Sequence, residues 1–171
     1  CYICINGAEV PIMDGSSKFF IEALEEANII EQNALREEFF PTEAISYLCE
    51  ETGSKISILP DDNYKVSTKV DYKTKVLGEQ EAGINNINEF KSEISSARTF
   101  SFLHELEMLL ENGLIKGGDL NNAIVYVDKP LADSNMDILK KAFNKNSISV
   151  SANGILDNLD LHYPNEAARH K

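Results

Sequence analysis

The sequence predicts an α+β fold, in which helices and strands succeed one another without regular alternation. Three observations carry the prediction. The chain has 171 residues, 43% hydrophobic and 26% charged, a globular composition sufficient for one domain or two small ones. Its hydrophobic spacing is helical over residues 16–27, alternates over residues 64–72 and becomes helical again after Ser101. The resulting order, strand, helix, several strands, helix, strand, helix, is that of layered α+β proteins.

Taken in order, residues 1–6 place Cys1, Ile3 and Ile5 on one face and Tyr2, Cys4 and Asn6 on the other, so the chain is expected to start inside a sheet. Asn6-Gly7 turns it, and residues 9–13 form a short extended piece. Asp14-Gly15-Ser16-Ser17 offers N-cap groups for a helix beginning at Ser16 or Ser17. Phe19, Phe20, Ala23, Leu24 and Ala27 share one face of that helix, Glu22, Glu25 and Glu26 face water, and Asn28 stops it. Residues 31–41 are charged and end in Pro41, which places a domain boundary near residue 40. Residues 44–48, 55–59 and 64–72 read as strands, and the turn-forming Pro60-Asp61-Asp62-Asn63 predicts that the last two form a hairpin. Residues 83–97 are polar and receive no assignment. From Ser101, Phe102, Leu106, Leu109, Leu110 and Leu114 line one helix face that ends at Gly113 or Gly117-Gly118. A buried strand over 123–127, a helix over 136–143 and an extended stretch over 147–151 complete the reading.

Charge and cysteine content exclude several classes. A net charge of −12 repels a nucleic-acid backbone, although cations placed locally, as in Arg169-His170-Lys171, can still hold a small anion. Apolar runs are only a few residues long, far short of the roughly 20 of a membrane span, and residues 1–4 lack the pattern of a secretory signal, so a cytoplasmic location is expected. Cys1, Cys4 and Cys49 leave an odd thiol, against a disulfide framework; strand spacing points Cys1 and Cys4 to opposite faces, and the cysteines are expected to be small buried hydrophobes.

Three stretches carry a resemblance: residues 9–16, EVPIMDGS; Ala97-Arg98-Thr99-Phe100 continuing through Gly117-Gly118 to Ala123-Ile124-Val125; and Arg169-His170-Lys171. In order and separation they resemble the UDP-3-O-acyl-N-acetylglucosamine deacetylases of lipid A biosynthesis, in the branch fused to a 3-hydroxyacyl-carrier-protein dehydratase. The resemblance spans essentially the whole chain and is weakest over 128–160, which is longer than in the short form of the family.

What the resemblance implies is two layered β-α sandwich domains with zinc at their junction. Both would be incomplete here, residues 1–40 belonging to the first and residues 41–171 to the second, with an insert around 126–163 forming much of a passage for the substrate's acyl chain. In such enzymes a metal-activated water attacks the acetamide carbonyl, a glutamate takes its proton and a histidine protonates the departing amine. His170 matches one of two histidines that bind zinc with an aspartate, and Lys171 matches a lysine that contacts the nucleotide-sugar. The aspartate is expected four positions after His170, the other histidine and the glutamate base in a pair before Cys1, and the acid histidine further downstream. This stretch alone is therefore expected to be inactive. Thr99 matches the threonine that helps stabilise the developing oxyanion. Phe100 and Phe102 match aromatic positions against the substrate, and Glu105 an acidic position near it. Leu106, Ile115, Leu120 and Val125 match the lining of the acyl passage, where each buried methylene contributes about 0.8 kcal/mol.

Judged without the resemblance, His170 is a solvated terminal histidine, Thr99 a strand or cap threonine, and the leucines simple core. His104 and His162 read as surface residues, His104 beside the acidic face of its helix. Gly117-Gly118 lacks the lysine and flanking glycines of a phosphate loop and reads as a turn. Two further functional readings stand beside the deacetylase: a non-catalytic module of α+β fold that binds acyl chains or UDP-sugars, and a structural protein without a ligand.

Overall fold

The computed structural model describes residues 2–111, 120–129, 133–157 and 159–171. Its architecture is α+β: helix α1 (Lys18–Glu26), strands β1 (Ile45–Leu48), β2 (Lys55–Ile58), β3 (Val66–Asp71), β4 (Glu79–Ile84) and β5 (Phe100–Phe102), helix α2 (Leu103–Glu111), strand β6 (Ile124–Tyr126), and helices α3 (Asp133–Ala142) and α4 (Glu166–His170). The strands form three two-stranded sheets, β1-β2 and β3-β4 antiparallel and β5-β6 parallel.

β3 shows the alternation expected of it, with Val70 buried, Thr68 half-buried, and Ser67, Lys69 and Asp71 exposed. Its partner is β4, Val66 facing Ile84, Thr68 facing Ala82 and Val70 facing Gln80. The expected hairpin between residues 55–59 and 64–72 is therefore not formed. β2 instead pairs back onto β1 through a tight turn in which Gly53 (φ +72°) donates its N–H to the Cys49 carbonyl at 2.8 Å. Pro60-Asp61-Asp62-Asn63 does turn the chain, Asp61 Oδ1 accepting from the Asn63 N–H at 2.9 Å, but the turn connects two separate hairpins. Both strands of the first hairpin are exposed along their whole length.

Two apolar clusters form the core, one on each side of β6. Ile124 and Tyr126 join Val70, Leu77, Phe102, Ile155, Ala167 and Ala168. Val125, pointing the other way as pleating requires, joins Leu103, Leu106, Leu120, Leu139, Ile148 and Leu156. α4 lies against β4 and is stitched to it by polar contacts: Asn165 Nδ2 donates to the Glu81 carbonyl at 2.7 Å, and Gln80 Oε1 accepts from the Ala168 N–H at 3.3 Å. Residues 83–97, unassigned above, complete β4 and then form a 3-10 turn (Ile87–Glu89) and a π turn (Phe90–Ile94) that leads into β5.

Other expectations are corrected. Residues 2–13 form no strand and are exposed, Cys4 included, so Cys4 is not a buried hydrophobe; these side chains meet no opposing sheet among the described residues. α1 forms where its period places it, and Asn28 (φ +56°) stops it with its N–H on the Glu25 carbonyl at 3.2 Å. No residue of α1 is buried, however, and Phe19 on its apolar face is 40% exposed. The second helix starts at Leu103 rather than Ser101, because Phe100-Ser101-Phe102 pairs with β6. Residues 147–151 make one isolated bridge, Val150 to Leu156, in place of a strand. The accessible surface, 12962 Å², is about half as large again as the roughly 8400 Å² usual for a monomeric globular protein of 19.1 kDa. Large apolar side chains in the first 60 residues stand in solvent, Leu35 fully exposed and Phe39 90% exposed.

One glycine fixes how the N-terminal segment meets the rest. Gly15 is buried at φ +82°, accepts the Thr99 N–H on its carbonyl at 2.7 Å, and lies so close to the chain before β6 that an added Cβ would stand 1.9 Å from the Asn122 carbonyl oxygen. Gly15→Ala is expected to destabilise the protein by more than about 1 kcal/mol, since backbone strain and a backbone clash combine. Gly53→Ala, with the same φ sign but open space around it, should cost less; urea titrations of the two variants make the comparison.

Candidate active site

The site is assembled by two chain segments that meet at the edge of the first core cluster. The first is residues 97–102. Its backbone is held on both sides of Thr99, whose N–H binds Gly15 and whose carbonyl accepts from the Ile124 N–H at 2.9 Å, prolonging the β5-β6 ladder. Thr99 is half-buried, and its side chain lies beside Gly15. The second segment is α4, which ends in His170 and Lys171.

These segments are joined by a buried ion pair. The Glu166 side chain is fully buried and that of Arg98 is 6% exposed. Glu166 Oε1 accepts from Arg98 Nε and from the Arg98 backbone N–H, both at 2.9 Å; Oε2 accepts from Arg98 Nη2 at 3.2 Å and from the His162 N–H at 2.7 Å. Arg98 Nη2 also donates to the Asp160 carbonyl at 2.7 Å. Burial alone pushes the Glu166 carboxyl up, but the Arg98 hydrogen bonds and charge, with the His162 N–H, outweigh it and hold the group below the ordinary glutamate range.

Phe100 is the hub of the exposed side. Its ring meets those of Tyr72, Phe102, Tyr126 and His170 edge-on at 5.7, 6.2, 5.8 and 6.4 Å between centroids, and Lys171 Nζ stands 5.2 Å from its centre, within cation-π range. Phe100, Phe102, His170 and Lys171 are thus brought together, and Thr99 precedes Phe100 in the chain with its side chain beside Gly15. Glu105 stands at the margin and caps α2: its Oε2 accepts from the Phe102 N–H at 3.0 Å and from Ser101 Oγ at 3.3 Å, as the glutamate of a capping box does. Leu106, Leu120 and Val125 lie in the second cluster, on the far side of β6 from Phe102, each less than 8% exposed. Ile115 lies outside the described residues.

His170 Nδ1 is 3.3 Å from the Ala97 carbonyl, a contact that requires Nδ1 to carry the proton and leaves the Nε2 lone pair available. Desolvation lowers its pKa, opposed by the Ala97 carbonyl, assisted by the Lys171 charge and opposed again by Glu166; the net direction is down, favouring the neutral imidazole that a metal requires. A backbone carbonyl behind one ring nitrogen is the arrangement that orients metal-binding histidines. His170 therefore fits one position of a zinc set. No group of three or more histidine, cysteine, aspartate or glutamate side chains that could hold a metal ion occurs among the described residues.

Several residues of the site escaped the sequence reading. Tyr72, one residue past β3, carries no local signal that it reaches Phe100 and Phe102, the latter at 5.2 Å. Arg98 and Glu166 are 68 positions apart, and only their burial together reveals them. Tyr126 is buried, its hydroxyl has no partner among the described residues, and desolvation, with the Glu166 charge assisting, pushes its pKa up to about 12. His104 and His162 are exposed as expected, but both are engaged. His104 Nδ1 is 2.8 Å from Asp128 Oδ2 and its ring stacks on Phe102 at 5.9 Å, while His162 Nδ1 is 2.8 Å from the Ser96 carbonyl.

The family model described as UDP-3-O-acyl N-acetylglycosamine deacetylase, LpxC, matches residues 1–138. The chain belongs to that family. Its relatives extend the match through α4 and Lys171. The bifunctional enzyme LpxC/FabZ of Bacteroides thetaiotaomicron is 36% identical over 171 residues, covering 100% of this chain and 37% of that protein. The protein of the same name from Chlorobaculum tepidum is 40% identical over 174 residues, again 100% of this chain and 37% of the relative. The UDP-3-O-acyl-N-acetylglucosamine deacetylase of Nitratidesulfovibrio vulgaris is 40% identical over 124 residues, covering 72% of this chain and 40% of the relative. The chain thus spans little more than a third of the length of the bifunctional LpxC relatives it matches. No helix among the described residues is long and apolar enough to cross a membrane.

Proposed function

We propose that the complete protein carrying this chain is a zinc-dependent deacetylase that hydrolyses the N-acetyl group of UDP-3-O-(3-hydroxyacyl)-N-acetylglucosamine, the committed step of lipid A synthesis. The observation that supports this reading most is the convergence of Phe100, His170 and Lys171 at one site, with Thr99 next to Phe100 in sequence, in a chain whose whole length aligns with 37% of an LpxC/FabZ enzyme. His170, neutral and oriented by Ala97, is proposed as one zinc ligand. Zinc bound there with ligands from outside this stretch would polarise the amide carbonyl and activate water. Thr99 is proposed to donate a hydrogen bond to the oxyanion, and its backbone, pinned on both sides, keeps that donor from shifting. Lys171 offers a cation to the nucleotide-sugar, and Phe100 and Phe102 offer aromatic surface to the sugar and acyl groups. Glu105, whose carboxylate caps α2, is proposed to lie near the substrate.

The same reading assigns residues 1–40 and 41–171 to two different sandwich domains, places the acyl passage along Leu106, Ile115, Leu120 and Val125 with the insert around 126–163, and situates the protein in the cytoplasm. A fused dehydratase domain is proposed for the complete protein, supported by its likeness to the bifunctional relatives. The 171-residue stretch alone, with one histidine at its site, is proposed to be inactive.

Acetate release from the acylated UDP-sugar by the zinc-loaded complete protein tests the proposal. Thr99→Val should lower kcat by about 10²- to 10³-fold, the usual cost of removing one oxyanion donor, with zinc content unchanged. Binding of the sugar without acetate release would mark a non-catalytic module instead, and full activity of Thr99→Val would remove that residue from the chemistry.

A further inference from the structure

We propose that Arg98 and Glu166 are positioning residues that set the distance and orientation between the Thr99 segment and the helix bearing His170. The inference deepens the deacetylase reading and rests on it for the identity of the two residues being positioned. The geometry behind it does not depend on that reading.

Glu166 stands one helical turn before His170, and Arg98 immediately precedes Thr99. The carboxylate is fully buried and accepts four hydrogen bonds, three from Arg98 and one from the His162 N–H. One of the three comes from the Arg98 backbone, so Glu166 holds the main chain of the Thr99 segment and not merely a flexible side chain. Arg98 reaches past Glu166 to the Asp160 carbonyl, which fixes the loop leading into α4 as well. The connection closes at the other end through His170 Nδ1 and the Ala97 carbonyl. α4 has only five residues, too short to hold its own direction, and it begins at Glu166. Residues 97–99 and 166–170 are therefore clamped at both ends of the contact, with the site residues Thr99 and His170 adjoining the clamp.

A pair that served stability alone could be replaced, at constant fold, without affecting turnover. A positioning pair could not, because displacing a reacting group by about 1 Å costs on the order of 10²-fold in rate. Glu166→Gln keeps the shape and removes the charge; Arg98→Lys keeps the charge and removes the fork that spans both oxygens and Asp160. Both variants are made in the complete, zinc-loaded protein and assayed well below their melting temperatures. The expected result is a kcat lowered about 10- to 100-fold with KM changed less than about threefold. In the metal-free proteins, amide hydrogen exchange should accelerate at residues 97–100 and 167–171 while the β3-β4 hairpin is unaffected.

Unchanged kcat and unchanged exchange at these residues, alongside a lowered melting temperature, would overturn the proposal and leave a purely structural ion pair. Should Glu166→Gln fail to fold, Arg98→Lys decides by the same two criteria. If the wild-type complete protein releases no acetate, the deacetylase reading falls, and the exchange measurement still decides whether the pair fixes the two segments.

Discussion

His170→Ala in the complete protein is expected to remove bound zinc and to lower acetate release by about a thousandfold or more, while the fold survives. A metal acting as Lewis acid supplies several kcal/mol of transition-state stabilisation, and each 1.36 kcal/mol corresponds to about tenfold in rate. Stability should change little, because His170 is an exposed residue at the end of α4 whose one hydrogen bond among the described residues, to the Ala97 carbonyl, is 3.3 Å long. Metal analysis, acetate assay and thermal melting in the metal-free state separate these effects. Retention of stoichiometric zinc by the alanine variant would remove His170 from the ligand set.

The second large effect is on stability. Glu166→Ala is expected to cost about 3–5 kcal/mol, because it strands the Arg98 guanidinium in the core together with the two N–H groups that the carboxylate receives. Truncating both partners should cost less than the sum of the single changes, and a double-mutant cycle by urea denaturation measures the difference. The pair also predicts an acid response. The Glu166 carboxyl is held below its ordinary range, so the unfolded chain takes up a proton at higher pH than the folded one. Its contribution is fully present above the unfolded glutamate value of about 4.3 and is lost as pH falls through the lower folded value. Denaturation midpoints from pH 6 downward should fall more steeply in wild type than in a protein carrying Gln at position 166.

The fold was legible where local pattern and tertiary context agree. β3 alternates because one of its faces is packed, and Asn28 ends α1 as its left-handed conformation allows. β4 was not legible: before its last residue, Ile84, it has no β-branched side chain, and it is a strand because β3 offers it a partner. The hairpin was misplaced because Pro60-Asp61-Asp62-Asn63 is the stronger turn signal in composition, whereas strand pairing is decided by Gly53 and by which backbones come face to face. Phe100-Ser101-Phe102 fits a helical stripe as well as a strand; three residues are too few for periodicity to separate the two. Within the site, the motif residues could be located from sequence, but the carboxylate that joins them could not. Glu166 stands in sequence between Asn165 and Ala167 with nothing to mark it, and its burial against Arg98 emerges only when the Arg98 segment and α4 meet.

The parallel pair β5-β6 has a consequence for how the molecule gains and loses its order. β6 is three residues long, yet its two faces enter different apolar clusters, Ile124 and Tyr126 one and Val125 the other. A slip of one residue would exchange these side chains, driving Tyr126 among the leucines and leaving both clusters wrongly filled. The two clusters therefore share a single reading frame, fixed where the Ile124 N–H meets the Thr99 carbonyl. Both clusters are correctly filled only in that one frame, and the residue at which it is set is the one on which the proposed chemistry depends.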